Sequence, residues 1–147
     1  MRLNLSVNGR STEVDVEPDT MLVDVLRDQF GLTGPRVTCG VGLCGTCTVL
    51  LDGEPVSSCI LMAPLALGRA ITTVEGLAED DRIMGCFDKH HAFQCGFCIP
   101  GMVLTACDMV DKGRAGSREE IREGLGGNLC RCGCYAKIID AIEEAAQ

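Results

Sequence analysis

The chain has 147 residues, among them 11 Cys and 18 Gly, with four Phe, one Tyr and no Trp, so any core must be aliphatic and small. Thirteen basic against 21 acidic residues leave a net charge of −8 with no basic stripe, which argues against nucleic-acid binding. The longest apolar stretch, Cys59 to Leu67, is broken by Pro64 and is too short to span a bilayer.

The first residues alternate apolar and polar instead of forming a signal-peptide core. The expected compartment is therefore the cytoplasm, where thiols stay reduced and abundant cysteine points to metal rather than disulfides. Leu3, Leu5 and Val7 alternate with polar neighbours, Asn8-Gly9 is a hairpin turn signal, and Thr12, Val14 and Val16 resume the alternation. A helix is expected over about Met21 to Gln29, capped by Asp19 or Thr20, with Leu22, Val25 and Leu26 buried and Gly31 ending it. A Gly- and Cys-rich loop runs from Gly34 to Cys47. Thr48 to Leu51 reads as a strand, Asp52-Gly53 as its turn, Val56 to Ile60 as its partner, and Ala70 to Val74 as a last strand. Two hairpins and one helix suggest a small mixed sheet packed on that helix, an α+β unit.

After about residue 76 the strand signals fade. Helices are expected from Asp80 to Ala92, from near Pro100 (carrying Met102, Val103, Ala106, Met109 and Val110), after the capping box Ser117-Arg118-Glu119-Glu120, and from Tyr135 to Ala146. The chain is thus divided into an N-terminal sheet domain, residues 1–76, and a C-terminal helical domain, residues 77–147. The helical half resembles a weak duplication, a close Cys pair preceding a helix twice.

The cysteines carry the chemistry. Cys39-x4-Cys44-x2-Cys47, followed after eleven residues by Cys59, has the spacing of a plant-type [2Fe–2S] ferredoxin. Two irons bridged by two sulfides need four outer thiolates. A tight loop supplies three, and the Asp52-Gly53 hairpin returns the fourth. Gly40, Gly42 and Gly45 let the backbone curl so that its N–H groups meet the sulfurs. Cys95-x2-Cys98 and, after 31 residues, Cys130-x-Cys132 form a second set, whose spacing alone suits either one tetrahedral zinc or one [2Fe–2S] rhomb.

The stretches TCGVGLCGTCTVLLDGEPVSSC, QCGFCIPGMV and GGNLCRC resemble the iron–sulfur subunit of the molybdenum hydroxylases, the family of xanthine dehydrogenase, aldehyde oxidoreductases and aerobic carbon monoxide dehydrogenases. The resemblance covers nearly the whole chain. It implies one [2Fe–2S] cluster in a β-grasp ferredoxin domain and a second in a four-helix domain. Cys39, Cys44, Cys47 and Cys59 would hold the first, and Cys95, Cys98, Cys130 and Cys132 the second. It also implies single-electron relay between a molybdenum–pterin centre in a large subunit and FAD in a medium subunit, within a dimer of heterotrimers. The helical-domain cluster would lie nearer the molybdenum. Gln94 and Cys132 would contact the pterin. Two positions depart from the commonest pattern: Thr38 replaces a frequent Gly, and CRCGCY at Cys130 to Tyr135 replaces CRCTGY, which places Cys134 beside the expected pterin contact.

The chain has no G-x-G-x-x-G following a strand, and it is too short to include flavin and molybdenum domains, so those are expected on other chains. Other readings of the chain are a free-standing ferredoxin, a zinc-binding interaction module, and the same assembly run reductively on an aromatic thioester such as hydroxybenzoyl-CoA. Cys86, Cys107 and Cys134 are expected as buried small residues. His90, His91 and Glu143-Glu144 are expected to face solvent.

Overall fold

The computed structural model describes all 147 residues. The first hairpin pairs β1 (Arg2–Val7) with β2 (Arg10–Asp15), Leu3 opposite Val14 and Leu5 opposite Thr12. Leu3, Leu5 and Val7 are buried, as their period of two requires. Asn8 and Gly9 both have positive φ, 51° and 76°, matching the twist of a two-residue hairpin. The second hairpin, β3 (Thr48–Leu51) with β4 (Glu54–Ser57), turns on Asp52-Gly53 in the same way. A short β5 (Ala70–Thr72) lies between the hairpins, parallel to β1 and antiparallel to β3, giving the order β2-β1-β5-β3-β4. Helix α1 (Leu22–Asp28) covers one face of this β-grasp sheet, and Leu5, Leu22, Leu26, Leu51 and Ile71 form the core between them.

Three local expectations change in this half. Neither Asp19 nor Thr20 caps α1: Met21 is the N-cap residue and lends no side-chain bond. The first N–H groups find backbone partners instead, Leu22 donating to the Leu61 carbonyl (2.7 Å) and Val23 to that of Ser58 (3.2 Å). β4 starts at Glu54 and stops at Ser57, two residues earlier than expected at its start and three at its end. It stops because Ser58 turns both its N–H and its hydroxyl onto the Cys47 carbonyl, at 3.4 and 2.6 Å. β5 ends at Thr72, and residues Val74–Gly76 form a 3₁₀ turn instead of more strand.

Four helices follow: α2 (Arg82–Lys89), α3 (Ile99–Asp111), α4 (Arg118–Gly124) and α5 (Tyr135–Ala145). Asp81 caps α2 through the N–H groups of Ile83 and Met84. Pro100 sits in the first turn of α3, where its missing N–H costs nothing. Ser117 caps α4 by accepting from Glu120, whose carboxylate reaches back to Gly116 rather than to Ser117 itself. These helices close over a second, separate apolar core that includes Phe87, Met102, Ile121, Ile138 and Ile142. Cys86 and Cys107 lie within it. α2 stops at Lys89, short of Ala92, because His91 adopts a left-handed φ of 49°.

His90 and Glu144 are not the solvent-facing residues the sequence suggested. The His90 ring meets the Glu144 carboxylate at 2.6 Å, and Lys89 meets the same carboxylate at 2.5 Å, clasping α2 to α5. Between the halves, α3 packs on β3 and β4. The buried Asp108 of α3 pairs with Arg114 and Lys112, and Lys112 reaches Glu54 of β4 at 2.7 Å. Lys112 touches Asp108 Oδ1 as an ion pair without hydrogen-bond geometry. No helix is long and apolar enough to cross a membrane.

Candidate metal centres

All eleven cysteines are free thiols. Cys39, Cys44 and Cys47 lie on the loop between α1 and β3, which curls because Gly40, Gly42 and Gly45 all take positive φ (66°, 77° and 75°). The curl aims three N–H groups at one sulfur: those of Val41, Leu43 and Cys44 reach Cys39 Sγ at 3.4, 3.3 and 3.4 Å. Led by the Val41 bond, they pull the Cys39 thiol down to about 6. The turn at Ser58 brings Cys59 to Cys47, and burial, followed by that neighbouring thiol, pushes Cys59 up to about 11. Cys39 thus has Cys44 as a neighbour, and Cys59 has Cys47.

The second set has the same character. Cys95 and Cys98 flank the entry to α3, and Cys130 and Cys132 the entry to α5. Cys95 meets Cys132, and Cys98 meets Cys130. The Phe97 N–H reaches Cys95 Sγ at 3.5 Å and holds that thiol below its ordinary value. Burial pushes Cys98 up to about 12. Burial also pushes Cys130 up, but the N–H of Cys134, at 3.4 Å, leads a group of donors that outweighs it and lowers the thiol. Cys134 is buried, as expected, yet it touches Cys130, and its own thiol is pushed up by burial and by Cys130. Gln94 is exposed and Cys132 partly exposed at this end of the molecule.

The donor chemistry fits thiolate-held clusters. Backbone N–H groups converge on sulfur in both sets, which favours a charged sulfur over a neutral thiol. No three His, Cys, Asp or Glu side chains are grouped closely enough to hold one ion. A binuclear rhomb instead takes two thiolates at each of two irons, and each set carries four cysteines.

A cavity of about 440 Å³ is lined by Cys44 of the first set with Thr46, and by Cys95, Cys98 and Cys130 of the second with Tyr135. The Leu129 N–H donates to the Cys44 carbonyl at 2.9 Å, joining the two cysteine loops directly. Asn128 is buried and connects Thr105 of α3 (3.0 Å) to the Gly45 carbonyl (3.4 Å). The Tyr135 hydroxyl accepts from the Cys130 N–H at 2.7 Å and donates to the Asn128 carbonyl. Thr46 places its hydroxyl 3.2 Å from Cys44 Sγ. Thr46, Asn128, Tyr135 and Arg36, which reaches across to the second cysteine loop, escaped the sequence reading. The signal available for Tyr135 was its place as the chain's single tyrosine, just after the second Cys pair.

Residues 5–86 match the family described as 2Fe-2S iron-sulfur cluster binding domain, and residues 73–143 the family described as [2Fe-2S] binding domain. The nicotinate dehydrogenase small FeS subunit of Eubacterium barkeri is 43% identical over 99% of this chain and 94% of its own length. In fold, the chain matches a chain of quinoline 2-oxidoreductase from Pseudomonas putida 86 with a TM-score of 0.94 and 46% identity, over 99% and 92% of the two chains. It also matches aldehyde oxidoreductase from Desulfovibrio desulfuricans at TM-score 0.92 and 41% identity, spanning 99% of this chain and 17% of that longer one.

Proposed function

Because the chain belongs to the small iron–sulfur subunits of the molybdenum hydroxylases, we propose that it relays single electrons between a molybdenum–pterin centre on a large subunit and FAD on a medium subunit. When bound, two [2Fe–2S] clusters supply one-electron redox chemistry, each reduction adding one negative charge. The ligands are Cys39, Cys44, Cys47 and Cys59 for one, and Cys95, Cys98, Cys130 and Cys132 for the other. The observation that carries this reading is the pair of cysteine sets, each with N–H groups aimed at sulfur, whose members Cys44, Cys95, Cys98 and Cys130 line one cavity.

The chain's own residues do three things in this role. The glycine-rich loop presents N–H donors that stabilise negative sulfur and so tune potential. Asn128 and the Leu129-to-Cys44 hydrogen bond hold the two cysteine loops at a fixed separation. The exposed end bearing Gln94 and Cys132 faces the pterin, with Cys132 serving both as ligand and as contact. We place the domain boundary at residues 76/77, the complex in the cytoplasm, and the assembly as a dimer of heterotrimers.

The test is flavin reduction in the assembled complex. Substrate reduces FAD in the wild-type complex. With Cys44→Ser, the molybdenum signal still forms on adding substrate and FAD reduction is lost. Unimpaired flavin reduction in a Cys44→Ser complex that lacks the first iron–sulfur signal would overturn the relay.

A further inference from the structure

Arg36 belongs to the sheet domain's cysteine loop by its backbone and to the helical domain by its side chain. Its N–H donates to the Thr46 carbonyl at 3.0 Å, and its carbonyl accepts from the Thr46 hydroxyl at 2.9 Å. That same hydroxyl lies beside Cys44 Sγ. The guanidinium crosses to the segment between Cys95 and Cys98, where one nitrogen donates to the carbonyls of Gly96 (2.9 Å) and Phe97 (2.8 Å). The guanidinium carbon sits 5.1 Å from the centroid of the Phe97 ring. No carboxylate lies within ion-pairing distance of Arg36, so its charge is not neutralised locally.

The connectivity gives this contact its chemical sense. The Gly96 carbonyl and the Phe97 N–H are the two ends of one peptide group. That N–H donates to Cys95 Sγ. The chain of contacts is therefore guanidinium, amide, sulfur. A cation on the carbonyl end polarises the amide and strengthens the N–H as a donor to negative sulfur. The guanidinium also adds its own attraction to a group that gains negative charge on reduction.

We propose that Arg36 is a positioning residue that tunes the potential of the helical-domain cluster from the sheet domain, acting through the Gly96–Phe97 peptide on Cys95. The proposal rests on the two-cluster reading above. Its effect is selective: it favours the reduced state of the helical-domain cluster over that of the ferredoxin-type cluster, and so sets how one electron divides between them.

The test is a potentiometric EPR titration of the assembled complex with wild-type protein, Arg36→Gln and Arg36→Lys. Arg36→Gln is expected to move the helical-domain midpoint to more negative values, by about tenfold in the electron-sharing equilibrium, the scale of one charge-assisted hydrogen bond. For a one-electron couple that is about 59 mV. The ferredoxin-type midpoint stays in place, and Arg36→Lys, which keeps the charge, restores most of the shift. Equal shifts of both midpoints, no shift, or no restoration by Lys would overturn the proposal. Should Arg36→Gln fail to load the second set, Arg36→His carries the test. Its helical-domain midpoint must rise more than the wild type's between about pH 8 and about pH 5.5, as the imidazole gains charge, and a slope equal to wild type refutes the role. Absence of two separate signals in the wild-type complex would instead defeat the two-cluster reading.

Discussion

Two glycines show how differently one residue type is used. Gly101, in the first turns of α3, lies so close to the sheet domain that a Cβ there would meet the Gly45 carbonyl at 2.1 Å. Gly85, within α2, has nothing within 4 Å of where a Cβ would stand. Gly101→Ala must therefore push the two cysteine loops apart. It is expected to cost at least the ~1–3 kcal/mol of an overpacked core. Gly85→Ala is expected to gain up to about 1 kcal/mol from helix propensity alone. Urea unfolding midpoints moving in opposite directions would bear this out, and a neutral Gly101→Ala would contradict the close contact. The sequence could not separate these glycines, since both stand in helical pattern. The eight cysteines stand out as ligand candidates because ligand spacing is a local property of the chain. Arg36, Asn128 and Tyr135 were not, because each acts across the fold on residues distant in sequence.

At the scale of elements, the two hairpins and five helices were legible from alternation, Asn-Gly and Asp-Gly turns, and caps. The boundaries that moved did so where tertiary contacts overrode local signals. Met21 rather than Asp19 or Thr20 begins α1 because segment 58–61 supplies carbonyls to its free N–H groups. The clasp between α2 and α5 was also hidden, since Lys89 and Glu144 are 55 residues apart. It yields a pH prediction. Lys89, followed by His90, holds the Glu144 carboxyl below its ordinary range, and Glu144 raises Lys89 above its own. Arg82 also touches this end of α5 through the Glu144 carbonyl. The depressed carboxyl contributes stability above its unfolded value, lost as pH falls through the folded one. The raised ammonium contributes below its unfolded value, lost as pH rises through the folded one. Glu144→Gln should thus be less stable than wild type at neutral pH. That margin should shrink at both extremes. A margin unchanged on raising the pH beyond the lysine range would show that the pair contributes nothing.

For the whole molecule, the division into a sheet half and a helical half followed from the change of periodicity near residue 76. The way the halves meet did not. Two small aliphatic cores, nearly without aromatics, lie on either side of a seam in which Gly101 packs on Gly45, Asn128 bonds the Gly45 carbonyl, and Lys112 joins α3 to β4. On the two-cluster proposal, metal–thiolate bonds that form with folding add to the stability of each half. On the proposed relay, this seam fixes the spacing between the two sites that exchange an electron.

The central claim is that eight named cysteines hold two separate [2Fe–2S] clusters. It is tested most directly by EPR of the reduced, assembled complex with iron and sulfide analysis of the wild type and of serine variants. About four irons per chain and two distinct signals are expected. Cys44→Ser should remove one signal, Cys130→Ser the other, and Cys134→Ser neither. A colourless zinc protein without acid-labile sulfide, or a signal removed by Cys134→Ser and retained by Cys132→Ser, would contradict it.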